Sequence, residues 1–194
     1  LHPALFAAVF GAIGTVVLER EERIASLIHD LRIKADTDGL TGLFNHRAFQ
    51  TRIRDLVQRA EGPISLLLLD LDRFKAFNDL HGHPAGDELL KALGGRIAHS
   101  IRDRDVACRY GGEEFAVLLP GSDLEEAGRV ADRLRVHVVG EPFRLNELEP
   151  VRVTLSGGAT QRRPGEPVPD WIARTDRLLY RAKDAGRDRI LSES

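Results

Sequence analysis

The chain predicts an α+β fold, a mixed sheet with flanking helices preceded by an N-terminal helix. Three observations carry this. Apolar runs of strand length alternate with longer helical stretches. One run, residues 63–71 (PISLLLLDL), is a succession of leucines without a polar face, as in a central strand buried on both sides. Two further runs, VACRY and EEFAVLLP, are joined by a glycine pair, the pattern of a hairpin.

Taken in order, residues 1–18 (LHPALFAAVFGAIGTVVL) carry no charge. They read either as the end of a transmembrane helix or as a packing helix of an upstream soluble domain. Alanines and glycines dilute the run and no Lys/Arg cluster follows it, which favours the packing helix. No basic stretch precedes it, which argues against a secretory signal. Val17, Glu21, Ile24, Ile28, Leu31 and Ala35 then recur at the seam spacing of a coiled coil. This predicts a linker helix over 1–35 that pairs with a second copy or else lies on its own domain, and a main domain over 36–194. The chain has no methionine, even at position 1, which predicts a fragment with a natural segment upstream.

Beyond Asp36-Thr37-Asp38-Gly39, which ends the helix, the periodicities predict a helix over 45–60, the strand at 63–71 and a helix over 87–101. The hairpin follows, with Gly111-Gly112 supplying positive φ angles for a two-residue turn. A helix over 123–139, a strand at 151–159 and a helix over 168–185 complete the chain. This β-α-β-β-α-β order is ferredoxin-like, with helices on one face.

Composition narrows the function. The 28 Lys+Arg against 30 Asp+Glu leave a formal charge of −2, so no overall basic field points to nucleic acid. The single cysteine, Cys108, excludes an intrachain disulfide and any CxxC metal site. It fits a reducing, cytoplasmic location, tethered to the inner face of the membrane if residues 1–18 end a membrane helix. The seven histidines show no HExxH or H-x₃-H spacing, so zinc is not expected. Cys108 and Trp171 read as packing residues.

The chemistry gathers where the leucine run ends, in Asp70-Leu71-Asp72-Arg73-Phe74-Lys75. Strand periodicity puts Asp70 and Asp72 on one face at the carboxyl edge of the sheet. Two carboxylates ending an apolar strand need positive compensation, which Lys75 alone does not supply. Glu113 and Glu114 follow directly on the hairpin turn. If the hairpin pairs beside the leucine strand, Glu113 and Asp70 converge. Hard oxygen ligands from two strands suit Mg²⁺ held jointly with phosphates, a palm-like arrangement of two metal ions. Lys183 and Arg187, four residues apart, share a face if the last helix extends that far.

The segments DGLTGLFN (38–45), DLDRFKAFND (70–79), GHPAGDELL (82–90), RYGGEEF (109–115) and LLYRAKDAGRDR (178–189) resemble, in order and spacing, the GGDEF family of diguanylate cyclases. The resemblance covers about residues 36–191 and implies a palm-type nucleotide cyclase sheet. It implies condensation of two GTP into cyclic di-GMP by a homodimer that uses two Mg²⁺ per site, with Mn²⁺ as an alternative. By position, Asp70, the Leu71 carbonyl and Glu113 match metal ligands, Glu113 serving also as base. Lys75 matches the lysine that offsets phosphate charge. Asn78 and Asp87 match the pair that reads guanine, and Lys183 and Arg187 the phosphate-binding pair. Arg102-Asp103-Arg104-Asp105 matches the RxxD product-inhibition site through Arg102 and Asp105, with Arg133 in support. The family leaves the role of Asp72 open.

His46, Gly157 and Asp188 depart from the usual Arg, β-branched residue and Asn, and Gly157-Gly158 predicts a bulge or a loosened strand. Other readings are a non-catalytic domain sensing GTP or cyclic di-GMP, a cyclase of mixed guanine–adenine product and a coiled-coil adaptor. The intact acidic residues and Asp87 weigh against them.

Overall fold

The leucine run needs cover on two sides, and the rest of the domain supplies it. From Thr37 the chain forms α1 (His46–Arg59), β1 (Ile64–Leu71), α2 (Phe74–His81), α3 (His83–Ser100), β2 (Val106–Arg109) and β3 (Glu114–Pro120). It continues with α4 (Leu124–Gly140), β4 (Leu155–Gln161), α5 (Val168–Asp184) and β5 (Ile190–Glu193). The sheet runs in the order β2-β3-β1-β4-β5. β1 pairs antiparallel with β3 and β4, β2 pairs antiparallel with β3, and β5 lies parallel to β4.

Every residue of β1 is buried. Leu67, Leu69 and Leu71 enter a core with Leu89, Leu93 and Ile97 of α3 and Val130 and Leu134 of α4. Ile64, Leu66 and Leu68 enter a second core with Phe49 and Ile53 of α1 and Trp171 and Leu179 of α5. The helices therefore cover both faces of the sheet, correcting the expectation of one covered face. A strand with no polar face requires this, since each fully buried leucine contributes roughly 1.5–3 kcal/mol.

This computed structural model describes residues 35–59, 61–145 and 148–193, with residues 20, 23, 24 and 27. It forms two units, Leu1–Asp36 and Thr37–Ser194. In the first, Arg20, Arg23, Ile24, Leu27, Ala35 and Asp36 are helical, and Ile24 and Leu27 are 56% and 61% exposed. The uncharged run 1–18 and the seam positions Val17, Glu21, Ile28 and Leu31 lie outside the described residues. Among the described residues, no helix is long and apolar enough to cross a membrane.

Several elements differ from the sequence expectations. α2 is an additional helix in the acidic motif, and α3 starts at His83 with Pro84 in its first turn, where a missing N–H costs nothing. β4 begins at Leu155, and Val151 makes only an isolated bridge with Phe143. Gly111 and Gly112 are absent from the positive-φ glycines, so the hairpin does not turn as expected. Instead Tyr110 and Gly111 both donate their N–H to the Glu114 carbonyl, at 2.8 and 3.2 Å. Arg109 closes the turn by donating Nε and Nη2 to the Gly112 carbonyl, at 3.1 and 2.8 Å. Gly157 and Gly158 pair in continuous register with Leu69 and Leu68, without a bulge. Their glycines serve packing: a methyl on Gly158 would collide with the Thr175 carbonyl of α5 and stand 2.9 Å from Leu178 Cβ.

Candidate active site

The site lies where β1 ends. Asp70 stands opposite Glu114 of β3 and Ser156 of β4, so the hairpin does pair beside the leucine strand. The Leu71 N–H donates to the Glu113 carbonyl at 3.2 Å, which joins the backbones of two expected ligands directly. Asp70 is 4% exposed, and Lys183 from the end of α5 reaches it with Nζ 2.7 Å from Oδ2.

Burial pushes the Asp70 carboxyl up to about 6; Lys183 opposes this, while Glu113 and Glu114 add to it. Glu113 is raised too, by burial first, with Lys183 opposing and Glu114 contributing. Asp70 and Glu113 thus share the Lys183 ammonium while Glu114 adds a third negative charge beside them, which leaves the sheet edge undercompensated. Among the described residues, no three His, Cys, Asp or Glu side chains are grouped so as to hold a metal ion by themselves. The donor set fits a hard divalent cation that completes its shell with other oxygens, such as phosphate.

Asp72 has separate surroundings. It is 7% exposed and accepts from Thr154 Oγ1 at 2.6 Å, Ser156 Oγ at 2.7 Å and the Asp188 N–H at 3.1 Å. Spacing alone made the two aspartates equal candidates; these bonds occupy Asp72 and leave Asp70 facing the acidic cluster.

Arg73, in a left-handed conformation at φ 58, turns the chain into α2. Lys75 is exposed in the first turn of that helix, where free backbone N–H groups also favour an anion. Gly82, at φ 84, breaks α2 from α3 and donates its N–H to the Asn78 carbonyl at 2.8 Å. A methyl on Gly86 would collide with the Asn78 amide oxygen, so glycine lets the two helices meet there. That oxygen, Oδ1, is buried and has no hydrogen-bond partner among the described residues. Asp87 follows one residue after Gly86 and is exposed. An orphaned acceptor and a carboxylate at one helix junction suit a ligand edge rich in N–H donors.

α5 ends at Asp184, and Arg187 lies beyond it in a left-handed turn at φ 66. Lys183 and Arg187 therefore do not share a helix face; Gly186, at φ 110, ends the helical run between them.

The RxxD segment forms the connection from α3 to β2. The Arg102 N–H donates to Asp105 Oδ2 at 2.9 Å, and Arg102 Nη2 pairs with Glu126 Oε1 at 2.8 Å. Arg133 Nη2 donates to the Ser100 carbonyl at 2.9 Å. Asp105 Oδ1 is buried without a hydrogen-bond partner among the described residues. Val106 is level with Leu66 in the sheet, two strands and four residues from Asp70. That separates the two clusters by on the order of 15 Å.

Sequence reasoning left one clasp unassigned. Asp38 accepts from the Thr41 N–H and hydroxyl at 2.9 and 2.8 Å and pairs with Arg109 at 3.3 Å. Burial opposes ionisation of Asp38, but Thr41 and Arg109 outweigh it and hold the carboxyl below its ordinary value. Arg109 thereby ties the start of the domain to the Gly112 carbonyl. The Asp-x-x-Thr spacing was its visible signal.

The profile of the family "Diguanylate cyclase, GGDEF domain" matches residues 35–189. The response regulator PleD of Caulobacter vibrioides is 40% identical over 174 residues, covering 87% of this chain and 38% of PleD. The diguanylate cyclase DgcP of Pseudomonas aeruginosa is 42% identical over 168 residues, covering 85% of this chain and 25% of DgcP. The chain thus spans well under half the length of either relative. The coiled coil and GGDEF domain of DgcB from Caulobacter crescentus, solved in complex with c-di-GMP, superimposes with a TM-score of 0.85 at 30% identity. That match covers 95% of this chain and 99% of the other. By its acidic cluster, its sheet order and these likenesses, the chain belongs to the GGDEF diguanylate cyclase family.

Proposed function

We propose that this chain condenses two GTP into cyclic di-GMP and releases two pyrophosphates. The observation that carries this is the undercompensated carboxyl cluster of Asp70, Glu113 and Glu114 beside Lys183, at the edge of a GGDEF-family sheet. In each half-reaction the 3′-oxygen of one GTP bonds to the α-phosphorus of the other. The bond from that phosphorus to the bridging oxygen breaks, and pyrophosphate leaves. One domain holds one GTP, so two chains face each other; proximity of this kind supplies roughly 7–11 kcal/mol. The exposed Ile24 and Leu27 support association through the N-terminal helix.

Asp70, Glu113 and the Leu71 carbonyl would hold Mg²⁺, two ions per site, with Mn²⁺ as an alternative. The metal, when bound, supplies positive charge to the phosphates and acidifies the attacking hydroxyl. Glu113, its carboxyl already raised, takes the hydroxyl proton. Lys75, Lys183 and Arg187 balance the triphosphate. Asn78 and Asp87 accept from the guanine edge; the unpartnered Asn78 Oδ1 supports this. Arg102, Asp105 and Arg133 bind the product as an inhibitor, a reading supported by the unpartnered Asp105 Oδ1. Residues 1–35 act as a signalling linker below an upstream sensor and 36–194 as the cyclase domain, working in the cytoplasm where GTP is made.

The test is pyrophosphate release from GTP in Mg²⁺. Release that needs the metal and rises per molecule with protein concentration supports the reading; a folded chain that binds GTP without release overturns it.

A further inference from the structure

Among the described residues, three non-glycine residues adopt positive φ: Arg73 at 58, Arg187 at 66 and Asp188 at 44. All three border one cavity of about 430 Å³ that is also lined by Asp72 and Thr154. Left-handed backbone is unfavourable for such residues and persists only where neighbouring contacts over-determine it. For the 187–188 turn those contacts can be named. The buried Asp72 carboxylate accepts the Asp188 N–H at 3.1 Å while its remaining bonds, from Thr154 and Ser156, fix it to the start of β4. The Asp72 N–H donates to the Thr154 carbonyl at 2.9 Å, which anchors the same residue through its backbone. From the opposite side, Arg135 of α4 pairs with the Asp188 carboxylate at 2.9 Å. The Arg187 N–H donates to the Ala182 carbonyl at 3.1 Å, and the Gly157 N–H to the Arg189 carbonyl at 2.9 Å. The backbone on each side of Arg187 is thus held, and its exposed side chain is presented beside Arg73, where α2 begins.

We infer that Asp72 is a positioning residue for Arg187: it holds the left-handed turn in place, with Arg135 bracing Asp188, so that the guanidinium meets the triphosphate. This rests on the reading of the site as a GTP-binding centre. It separates the two strand-end aspartates by role. Asp70 faces the acidic cluster, whereas the oxygens of Asp72 are engaged by three hydrogen-bond donors and do not serve the metal. Asp188, where asparagine is usual, adds the charged brace.

The test compares the full chain with Asp72→Asn, Arg187→Ala and the double variant. Asp72→Asn keeps the volume but turns an amide toward donors that need an acceptor. The expected outcome is a rise in KM and in the calorimetric Kd for GTP of about 10-fold with kcat within about 3-fold, the split of a lost binding contact. Guanosine, which has no phosphate, should bind unchanged. The double variant should be no weaker than Arg187→Ala, because both changes remove one contact. Amide exchange at Asp188 should accelerate in Asp72→Asn. If that variant does not fold, Ser156→Ala and Arg135→Gln replace it, each raising KM in the same direction.

A fall in kcat of about 100-fold at unchanged KM would assign Asp72 to the metal centre instead and overturn the proposal. Fully additive losses in the double variant, or unchanged GTP binding in Asp72→Asn, overturn it as well. A wild-type chain that binds no GTP contradicts the underlying reading, an outcome told apart because it appears without any substitution.

Discussion

A buried carboxylate is costly unless something positive stands beside it, and Asp70 has half of what it needs. Lys183 meets one oxygen, but Glu113 and Glu114 push back, and the carboxyl rises to about 6. Because the folded chain binds this proton more tightly than the unfolded chain, whose value is 3.8, protonation stabilises the metal-free fold. That contribution is fully present below 3.8 and is lost as pH rises through about 6. Melting temperatures without metal should therefore carry a downward component across that window that Asp70→Asn removes. Added Mg²⁺ competes with the proton, so its stabilising effect should grow from acid to neutral pH in the wild type and be absent in Asp70→Asn. Equal Mg²⁺ effects at both ends of the range would count against Asp70 as a ligand. Glu113→Gln keeps the volume and loses the charge; turnover should fall at least about 10²-fold while the melting temperature holds. Turnover near the wild-type level would remove Glu113 from the metal centre.

At the scale of elements, the sheet explains why the site is where it is. A strand buried on both faces can place a charged group only at its end, where Asp70 stands, and the hairpin beside it delivers Glu113 and Glu114 to the same edge. Close packing of α5 on β4 delivers Lys183, and it depends on Gly158. Gly158→Ala places a methyl against the Thr175 carbonyl, and it should cost at least about 2 kcal/mol, lowering the melting temperature by about 4–8 °C. A variant as stable as wild type would mean that the helix can lift off without penalty. Much of this frame was legible, because the leucine run and the glycine pair carry period and turn signals of their own. What was not legible depended on partners distant in sequence. The two-sided burial of β1 was read, but not that helices must then cover both faces. α2 hid in DLDRFKAFND because it is only eight residues long, so Phe74 and Phe77 mark too short an apolar stripe to show a helical period. Gly157 and Gly158 read as a weak strand because their neighbours are distant in sequence: Ile190 and Leu69 crowd Gly157, and residues 175–179 of α5 crowd Gly158. Asp70 and Asp72 looked alike until Thr154, Ser156 and Asp188 were seen to claim one of them.

For the whole molecule, the two clusters lie on different parts of one sheet, so product and substrate need not compete. If cyclic di-GMP binds at Arg102 and Asp105 and bridges two domains there, as proposed, it should inhibit non-competitively, with the active sites held apart. Arg102→Ala should relieve inhibition with GTP affinity nearly unchanged, since Arg102 pairs with Glu126 and touches no residue of the acidic cluster. Calorimetry that detects no binding of cyclic di-GMP to the wild-type chain would sink that account. The most direct measurement of all is the product itself. The full chain is incubated with equal GTP and ATP in Mg²⁺ at several protein concentrations, and the nucleotides are separated by chromatography. The account predicts cyclic di-GMP with no adenine in it, made faster per molecule as concentration rises and not made by Glu113→Gln. A folded chain that binds GTP and yields no cyclic dinucleotide, or yields a mixed guanine–adenine product, would contradict it.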